Sequence, residues 1–215
     1  MIIRLVSIFI LALFTVAPVS GKSIRDCFAQ MPDSLMPLLT KTNRLDMIDF
    51  IDSNMKAVVT NRLDGVSEMS FLSDIYISLK YTEKSDYQIR LFFNKDSVPL
   101  ICMVHTVISD IYQDSELQFF DNDWNKIETV KLIKEPVFYG FIKKTSLKSG
   151  SLDIINKEIT LKFQYIEALT ESPVLRFRFI GLEHVGNDTL IISDYFINEP
   201  LEFLWKGKKF KRIRN

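Results

Sequence analysis

Hydrophobic residues in the first quarter of the chain follow the period of an α-helix. Residues 22–55 carry apolar side chains at spacings of three and four, and the stripe they form is Leu45, Ile48, Ile51 and Met55. Acidic side chains occupy the other directions, so the spacing predicts an amphipathic helix with one face toward a core. Asn43, three residues before Asp46, is predicted to cap its start. A shorter helix is predicted over residues 23–31, ended by Pro32.

In the middle of the chain the period changes to two, which is typical of β-strands. Residues 75–81 and 88–93 alternate between apolar and polar side chains, and both are predicted to be antiparallel strands with one face in water. The wet face of the second strand includes Gln88 and Arg90. After a short polar turn, residues 98–107 are nearly continuous in apolar side chains and predict a central strand covered on both faces.

The second half of the chain shows the same alternation of apolar and polar residues, but its sequence is not a repeat of the first half. Alternating residues 159–165 and 175–179 predict a hairpin, and residues 201–205 predict a strand that turns back into the C-terminus. Residues 143–151 are polar and resemble a linker, at which the domain would subdivide, but the stretch is short and favours one domain over residues 22–215. The predicted fold class is α+β, with N-terminal helices packed on one face of a mostly antiparallel sheet.

The N-terminal residues have the composition of a secretory signal peptide. Arg4 precedes an apolar run over residues 5–17, which Pro18 and Gly21 then close. This run is shorter than the roughly 20 apolar residues that cross a bilayer. Residues 1–21 are therefore predicted to be a cleaved signal, and the mature chain is expected to have no transmembrane span. The expected location is the periplasm or the cell surface, where nucleic acid is not a partner.

Charge is unevenly distributed along the mature chain. The full sequence balances 27 Lys and Arg against 27 Asp and Glu. Cations are concentrated near the C-terminus, at Lys206, Lys208, Lys209, Lys211, Arg212 and Arg214. A concentrated cationic patch attracts anions, which predicts contact with an anionic partner such as lipid phosphate or an acidic polysaccharide. The alternative is an exposed edge strand whose lysines prevent edge-to-edge pairing.

The chain has two cysteines, Cys27 and Cys102. In an exported protein they are a candidate disulfide, which would tie the first helix to the central strand. The alternative is two buried free thiols, because Cys102 shares a strand face with Leu100 and Val104. Residues three apart on a strand point to opposite faces, so Cys102 and His105 are not expected to form a catalytic pair.

Residue patterns that commonly carry catalysis or bind metals are sparse. His105 and His184 are the only histidines, and the sequence has no Gly-x-Ser-x-Gly, no phosphate-binding glycine loop, no dinucleotide fingerprint and no His-Glu-x-x-His. The alternate spacing of a calcium loop occurs at Asp121, Asp123 and Asn125. The glycine and carboxylate that would complete such a loop are replaced by Lys126 and Leu132. This segment is therefore interpreted as a turn, and no metal, cofactor or catalytic residue is predicted.

A family resemblance is carried by residues 26–35, 38–46, 54–57, 101–104 and the turn at 123–124. These segments, which read DCFAQMPDSL, LLTKTNRLD, NMKA, ICMV and DW, resemble a family of exported Gram-negative bacterial proteins defined only as a domain of unknown function. The resemblance runs through most of the mature chain. It implies an envelope location in a Gram-negative cell, and it implies no catalytic residues because the family has no assigned activity.

These features together predict a non-catalytic envelope protein that binds another protein or a glycan through its sheet or loops. Two alternatives stay open, namely a small envelope hydrolase without a common motif and a secreted inhibitor of another enzyme. A cleft that gathers carboxylates or a histidine would favour the enzyme. A flat apolar patch with exposed aromatic residues would favour the binding module. The oligomeric state is not predicted.

Overall fold

The computed structural model describes residues 22–110, 112–136, 138–148, 151–181 and 193–213. The predicted signal over residues 1–21 lies outside this part of the chain, as do His184 and Arg214. Within the described residues, no helix combines the length and the apolar composition needed to cross a membrane.

Two helices and a short 3-10 turn open the described chain. Helix α1 spans Ile24–Gln30, the 3-10 turn spans Asp33–Leu35 and helix α2 spans Lys41–Asp52. The predicted short helix over residues 23–31 is confirmed by α1. The Ser23 hydroxyl accepts a hydrogen bond from the backbone N–H of Asp26, and the Asp26 carboxylate accepts one from the backbone N–H of Ser23. This reciprocal pair satisfies two backbone donors at the helix start.

Helix α2 is capped by Thr40 and not by Asn43 as predicted. The Thr40 hydroxyl accepts from the backbone N–H of Asn43 at 3.1 Å, and the Asn43 side chain accepts from the backbone N–H of Thr40 at 3.0 Å. Asn43 is thus the third residue of the helix and the second half of a capping box.

The face that α2 turns inward also differs from the predicted stripe. Its buried residues are Arg44, Met47 and Ile48, whereas Leu45 is 41% exposed and Met55 is 56% exposed. The predicted stripe is therefore wrong at both of its ends. Hydrophobic spacing could not reveal the true face because a charged residue, Arg44, lies at its centre.

Seven antiparallel strands form the first sheet and follow one another in chain order. They are β1 (Ala57–Thr60), β2 (Val66–Leu72), β3 (Tyr76–Thr82), β4 (Ser85–Phe93), β5 (Pro99–Ile108), β6 (Gln113–Phe120) and β7 (Lys126–Ile127). The prediction of a central strand over residues 98–107 is confirmed by β5, whose first six residues are all buried.

A second antiparallel sheet has the order β11-β10-β9-β8. Its strands are β8 (Phe163–Ala168), β9 (Val174–Ile180), β10 (Leu201–Trp205) and β11 (Phe210–Arg212). Short helical segments connect the two sheets, namely α3 (Thr129–Leu132), a 3-10 turn (Phe138–Phe141), α4 (Lys144–Lys148) and α5 (Leu152–Glu158). Strand β8 begins four residues after the predicted Ile159 because α5 extends to Glu158. Helix α4 lies in the segment that resembled a linker.

The first sheet lies between the N-terminal helices and the second sheet. Ile101 and Met103 of β5 belong to a core cluster with α1 and α2, while Leu100, Cys102 and Val104 belong to a second cluster with β8, β9 and β10. The α+β prediction is thus confirmed, but the structure has two sheets where one was expected.

Because of the second sheet, β4 has no wet face. Gln88 is 9% exposed and Arg90 is 3% exposed. The prediction that these side chains face water is therefore wrong. Their strand shows the polar alternation of a half-exposed strand, but the face that carries them is covered by residues far along the chain.

Candidate functional site

The C-terminal cations lie on the hairpin of β10 and β11. Lys206, Lys208 and Lys209 form its turn, in which the backbone N–H of Lys206 donates to the carbonyl oxygen of Lys209 at 3.0 Å. Gly207 has a φ of 78°, a left-handed conformation that glycine adopts without steric cost. The turn therefore presents three lysines within four residues.

Strand β11 separates the remaining cations. Lys211 lies opposite Leu204 and Arg212 lies opposite Phe203, in an edge strand of the second sheet. Consecutive residues of a strand point to opposite faces, so these two cations do not share one surface. The six-cation site predicted from the sequence thus reduces, in the described residues, to the three turn lysines with Lys211 and Arg212 divided between two faces.

A neighbouring turn adds a fourth lysine. The indole Nε1–H of Trp205 donates to the carbonyl oxygen of Phe93 at 2.7 Å. A Cβ built on Gly207 would lie 3.7 Å from Cγ of Lys95, so the two turns are in contact. We call Lys95, Lys206, Lys208 and Lys209 the basic tip. All four are exposed, and in the described part of the chain none of them makes an ion pair.

Two apolar side chains flank the basic tip. Phe93 ends β4 and is 40% exposed, while Val98 closes the turn after it and is 50% exposed. The backbone N–H of Asn94 donates to the carbonyl oxygen of Val98 at 3.1 Å, which fixes this turn. The sequence predicted this turn but not that it belongs to the basic tip, because only the tertiary structure brings it against the C-terminal hairpin.

The two cysteines are free thiols in different cores. Cys27 of α1 lies beneath the helices, and Cys102 of β5 faces the second sheet, so the first sheet lies between them. The structure contradicts the predicted disulfide and agrees with the alternative of two buried thiols. Burial raises the pKa of Cys27 to about 11 and also raises the pKa of Cys102. Neither thiol is therefore activated as a nucleophile.

His105 is a packed residue on the face of β5 opposite to Cys102. Its ring stacks on Tyr87 with the centroids 4.3 Å apart, and burial lowers its pKa. The prediction that Cys102 and His105 do not pair is confirmed, since Met103 and His105 alternate with Cys102 and Val104 along the strand.

The calcium-like spacing at 121–125 forms a turn, as predicted. The Asp121 carboxylate accepts from the backbone N–H groups of Asp123 and Asn125, at 2.9 Å each. Trp124 adopts a φ of 65° and its Nε1–H donates to the carbonyl oxygen of Cys27 at 3.0 Å. The turn thus anchors the end of α1, and no group of three metal-ligating side chains occurs among the residues that the structure describes.

A cleft of about 520 Å³ opens between β6, the segment after α3 and the start of β8. Its walls include the carboxylates Asp114, Glu116 and Glu135, together with Gln164. Burial raises the pKa of Glu135, a hydrogen bond from Gln164 opposes the rise, and Glu116 adds to it. The Asp114 carboxylate accepts from the backbone N–H of Gln164 at 3.1 Å, and Glu135 accepts from its side chain at 3.4 Å. Two of the three carboxylates therefore fasten β8 to the neighbouring elements.

Buried polar side chains lie between the two sheets, and we call them the polar seam; they are Gln88, Arg90, Thr106 and Ser115. Strand β8 is an edge strand whose free backbone groups bond to this seam. The backbone N–H of Ile166 donates to Ser115 at 3.1 Å, and that of Ala168 donates to the Gln88 side-chain oxygen at 2.9 Å. The hydroxyl groups of Thr106 and Ser115 are 2.8 Å apart. No signal in the sequence indicated this contact.

Comparison with known proteins agrees with this architecture. A solved domain of an uncharacterised protein from Porphyromonas gingivalis W83 superposes with a TM-score of 0.76 at 21% identity, covering 89% of this chain and 98% of that one. At this identity the likeness shows the fold alone. No curated protein matches the sequence. The family model described as "Protein of unknown function (DUF3256)" matches residues 16–210, and the chain belongs to this family.

Proposed function

We propose that the protein is a non-catalytic binding module of the cell envelope, and that it docks on an anionic lipid surface through the basic tip. The observation that carries this proposal is the set of four exposed lysines, in two contacting turns, that make no ion pair with any described residue. Other cations on the described surface are either paired, as Lys22 is with Asp123, or lie on different segments, as do Lys41, Lys80, Lys126 and Lys134.

The apolar residues beside the tip favour a lipid surface over a soluble polyanion. Each lysine held near an anionic leaflet contributes on the order of 1 kcal/mol. Phe93 and Val98 are exposed at the two ends of the turn that carries Lys95, and in this proposal they enter the interfacial region while the lysines remain at the headgroups. A polysaccharide would engage the charges but would leave these two side chains in water.

The cleft gathers Asp114, Glu116 and Glu135 and so meets the criterion for the hydrolase alternative in part, but the hydrogen bonds of two of these carboxylates favour a structural role. Catalysis by an acid pair requires carboxylates that can reach a substrate. Asp114 and Glu135 instead accept hydrogen bonds from Gln164.

Flotation of the mature chain with vesicles tests the proposal. We expect binding to vesicles of equal parts phosphatidylglycerol and phosphatidylethanolamine, and none to phosphatidylcholine vesicles. The variant K95Q/K206Q/K208Q/K209Q should lose on the order of 100-fold in affinity or more, from four contributions of about 1 kcal/mol each. The matched control K41Q/K80Q/K126Q/K134Q removes the same charge from four other exposed lysines and should bind like the wild type.

Three results would contradict lipid docking by the tip. One is equal loss of binding in the two quadruple variants, and another is binding that does not weaken with salt, because exposed charges are screened. The third is binding to dextran sulfate with no binding to vesicles, which would indicate a polysaccharide partner. The variant F93S/V98S should weaken vesicle binding while leaving any dextran sulfate binding unchanged.

A further inference from the structure

Arg90 is a buried charge whose guanidinium lacks hydrogen-bond acceptors. It lies opposite Tyr76 of β3 and Cys102 of β5, on the face of the first sheet that the second sheet covers. Its Nε and Nη1 atoms are both buried, and no described residue accepts a hydrogen bond from either. The ring of Phe92, with its centroid 5.2 Å from the guanidinium carbon, supplies a π face but no acceptor.

The other side chains of the polar seam do not supply the acceptors that Arg90 lacks. Thr106 and Ser115 are hydrogen-bonded to each other, and Gln88 and Ser115 are hydrogen-bonded to β8. Gln88 also accepts from the hydroxyl of Tyr76. An arginine stays charged in proteins, and a buried charge without a partner is strongly unfavourable. Native structures pair nearly all such groups with protein atoms, ordered water or a bound ligand, so the unpaired nitrogens of Arg90 require an acceptor outside the described residues.

The nearby acidic side chain in the structure does not supply that partner. Burial lowers the pKa of Arg90, and the charge of Glu171 in the β8–β9 turn opposes that shift. Glu171 is nevertheless exposed, and within the described residues it makes no ion pair with Arg90. The β8–β9 turn that carries Glu171 is therefore within electrostatic range of the guanidinium but does not bond to it.

We propose that Arg90 anchors a binding site for a small carboxylate between the two sheets. A guanidinium binds planar carboxylates through charge-assisted hydrogen bonds. The other groups around it, Tyr76, Phe92 and Cys102, carry no charge, so one negative charge neutralises the site. A phosphate with two negative charges would leave one of them buried and uncompensated. The site is independent of the basic tip.

Acetate is the probe, and the melting temperature of the mature protein at pH 7 is the readout. The temperature should rise by several degrees as sodium acetate replaces sodium chloride at constant ionic strength, because a ligand that binds only the folded state stabilises it. The rise should be absent in R90M. The control R176M removes another arginine, one paired with Glu167 and Glu202 on the second sheet, and should keep the rise.

The variant E171Q separates an external carboxylate from an internal one. If the site binds a free carboxylate, E171Q should respond to acetate at least as strongly as the wild type. A lower melting temperature for E171Q with no acetate response would mean that Glu171 itself occupies the site, which would overturn the proposal. Equal acetate responses in the wild type and R90M would overturn it as well.

A spectroscopic readout on the wild type does not depend on the folding of any variant. The Nε–H resonance of Arg90 should shift on addition of acetate and should remain in place with equal chloride. The resonances of Arg44, whose three nitrogens all donate to described acceptors, should not move. Absence of an acetate-specific shift at Arg90 would refute the site.

Discussion

Arg44 and Arg90 are both almost fully buried, on opposite faces of the first sheet, and their surroundings differ completely. Arg44 is 1% exposed and all three of its nitrogens donate: Nε to the carbonyl of Phe28, Nη1 to Leu39 and Asp33, and Nη2 to Met31. Arg90 is 3% exposed, and two of its nitrogens have no acceptor among the described residues.

The elements that cover each face explain the difference. The last carbonyl groups of a helix have no partner within the helix. Helix α1 ends over the first sheet, so its terminal carbonyls are available to Arg44 and, at Cys27, to the indole of Trp124. A sheet uses its carbonyls in the ladder between strands. The second sheet therefore offers few free acceptors to a guanidinium beneath it.

On the face covered by the second sheet, polar side chains satisfy free backbone groups, whereas under the helices free backbone carbonyls satisfy a side chain. Gln88 and Ser115 complete the hydrogen bonds of β8, an edge strand with no neighbouring strand on one side among the described residues. The comparison teaches that the same sheet can bury an arginine as a structural centre under helices and as an unpaired charge under another sheet.

The largest loss of stability is expected from Arg44→Met, which tests whether Arg44 is the structural arginine of the pair. The substitution removes the guanidinium donors from three buried carbonyls, of which only that of Phe28 keeps another described donor, and leaves Asp33 with Arg62 alone, so it should lower the free energy of unfolding by about 3–5 kcal/mol. Urea unfolding measures the change. The control is Arg25→Met, which breaks an exposed ion pair with Asp52 and should cost less than about 1 kcal/mol. Similar costs for the two variants would show that burial does not distinguish these arginines.

A pH series tests the burial of the Cys27 thiol under the helices. Cys27 has a folded-state pKa of about 11 against an ordinary value of 9.0. Because the folded pKa is raised, its stabilising contribution is complete below pH 9 and is lost as the pH rises toward 11, for a loss of about 2 kcal/mol. Unfolding measured from pH 8 to pH 11 should show a shallower decline in Cys27→Ala than in the wild type. An identical decline in both would argue that Cys27 does not titrate on unfolding.

Alkylation adds a direct check on both buried thiols. Both cysteines should be unreactive in the native protein and should react fully after unfolding without reductant, because neither is bridged. Recovery of an oxidised pair by mass spectrometry would contradict their separation on opposite faces.

A smaller effect is expected from Gln88→Leu in the polar seam. The backbone N–H of Ala168 and the hydroxyl of Tyr76 would lose their acceptor, so the free energy of unfolding should fall by about 1–2 kcal/mol. Hydrogen exchange at Ala168 should accelerate together with this loss. Gln118→Leu is a matched control, since Gln118 donates only to the exposed Glu116, and its effect should be within about 0.5 kcal/mol. Unchanged exchange at Ala168 would mean that β8 does not depend on the seam.

The sequence by itself determined the local elements of this protein. The period of two placed β3 and β4, a continuous apolar run placed β5, and the calcium-like spacing at 121–125 was correctly interpreted as a turn. These signals act between residues that are close in the chain. It also identified the C-terminal hairpin and its lysines, although strand geometry then divided Lys211 from Arg212.

Only the tertiary structure decided what covers each face. Alternation shows that the side chains of Gln88 and Arg90 point away from the core that contains Ile89 and Leu91. It does not show what covers the opposite face of the sheet. That side is covered by β8, whose Ile166 carbonyl accepts from Gln88 across 78 positions of sequence. The same long-range packing separated Cys27 from Cys102 and placed Lys95 beside Gly207. These outcomes depend on the packing of whole layers, because each sheet must bury its apolar face against another element, and no local pattern encodes which element that is.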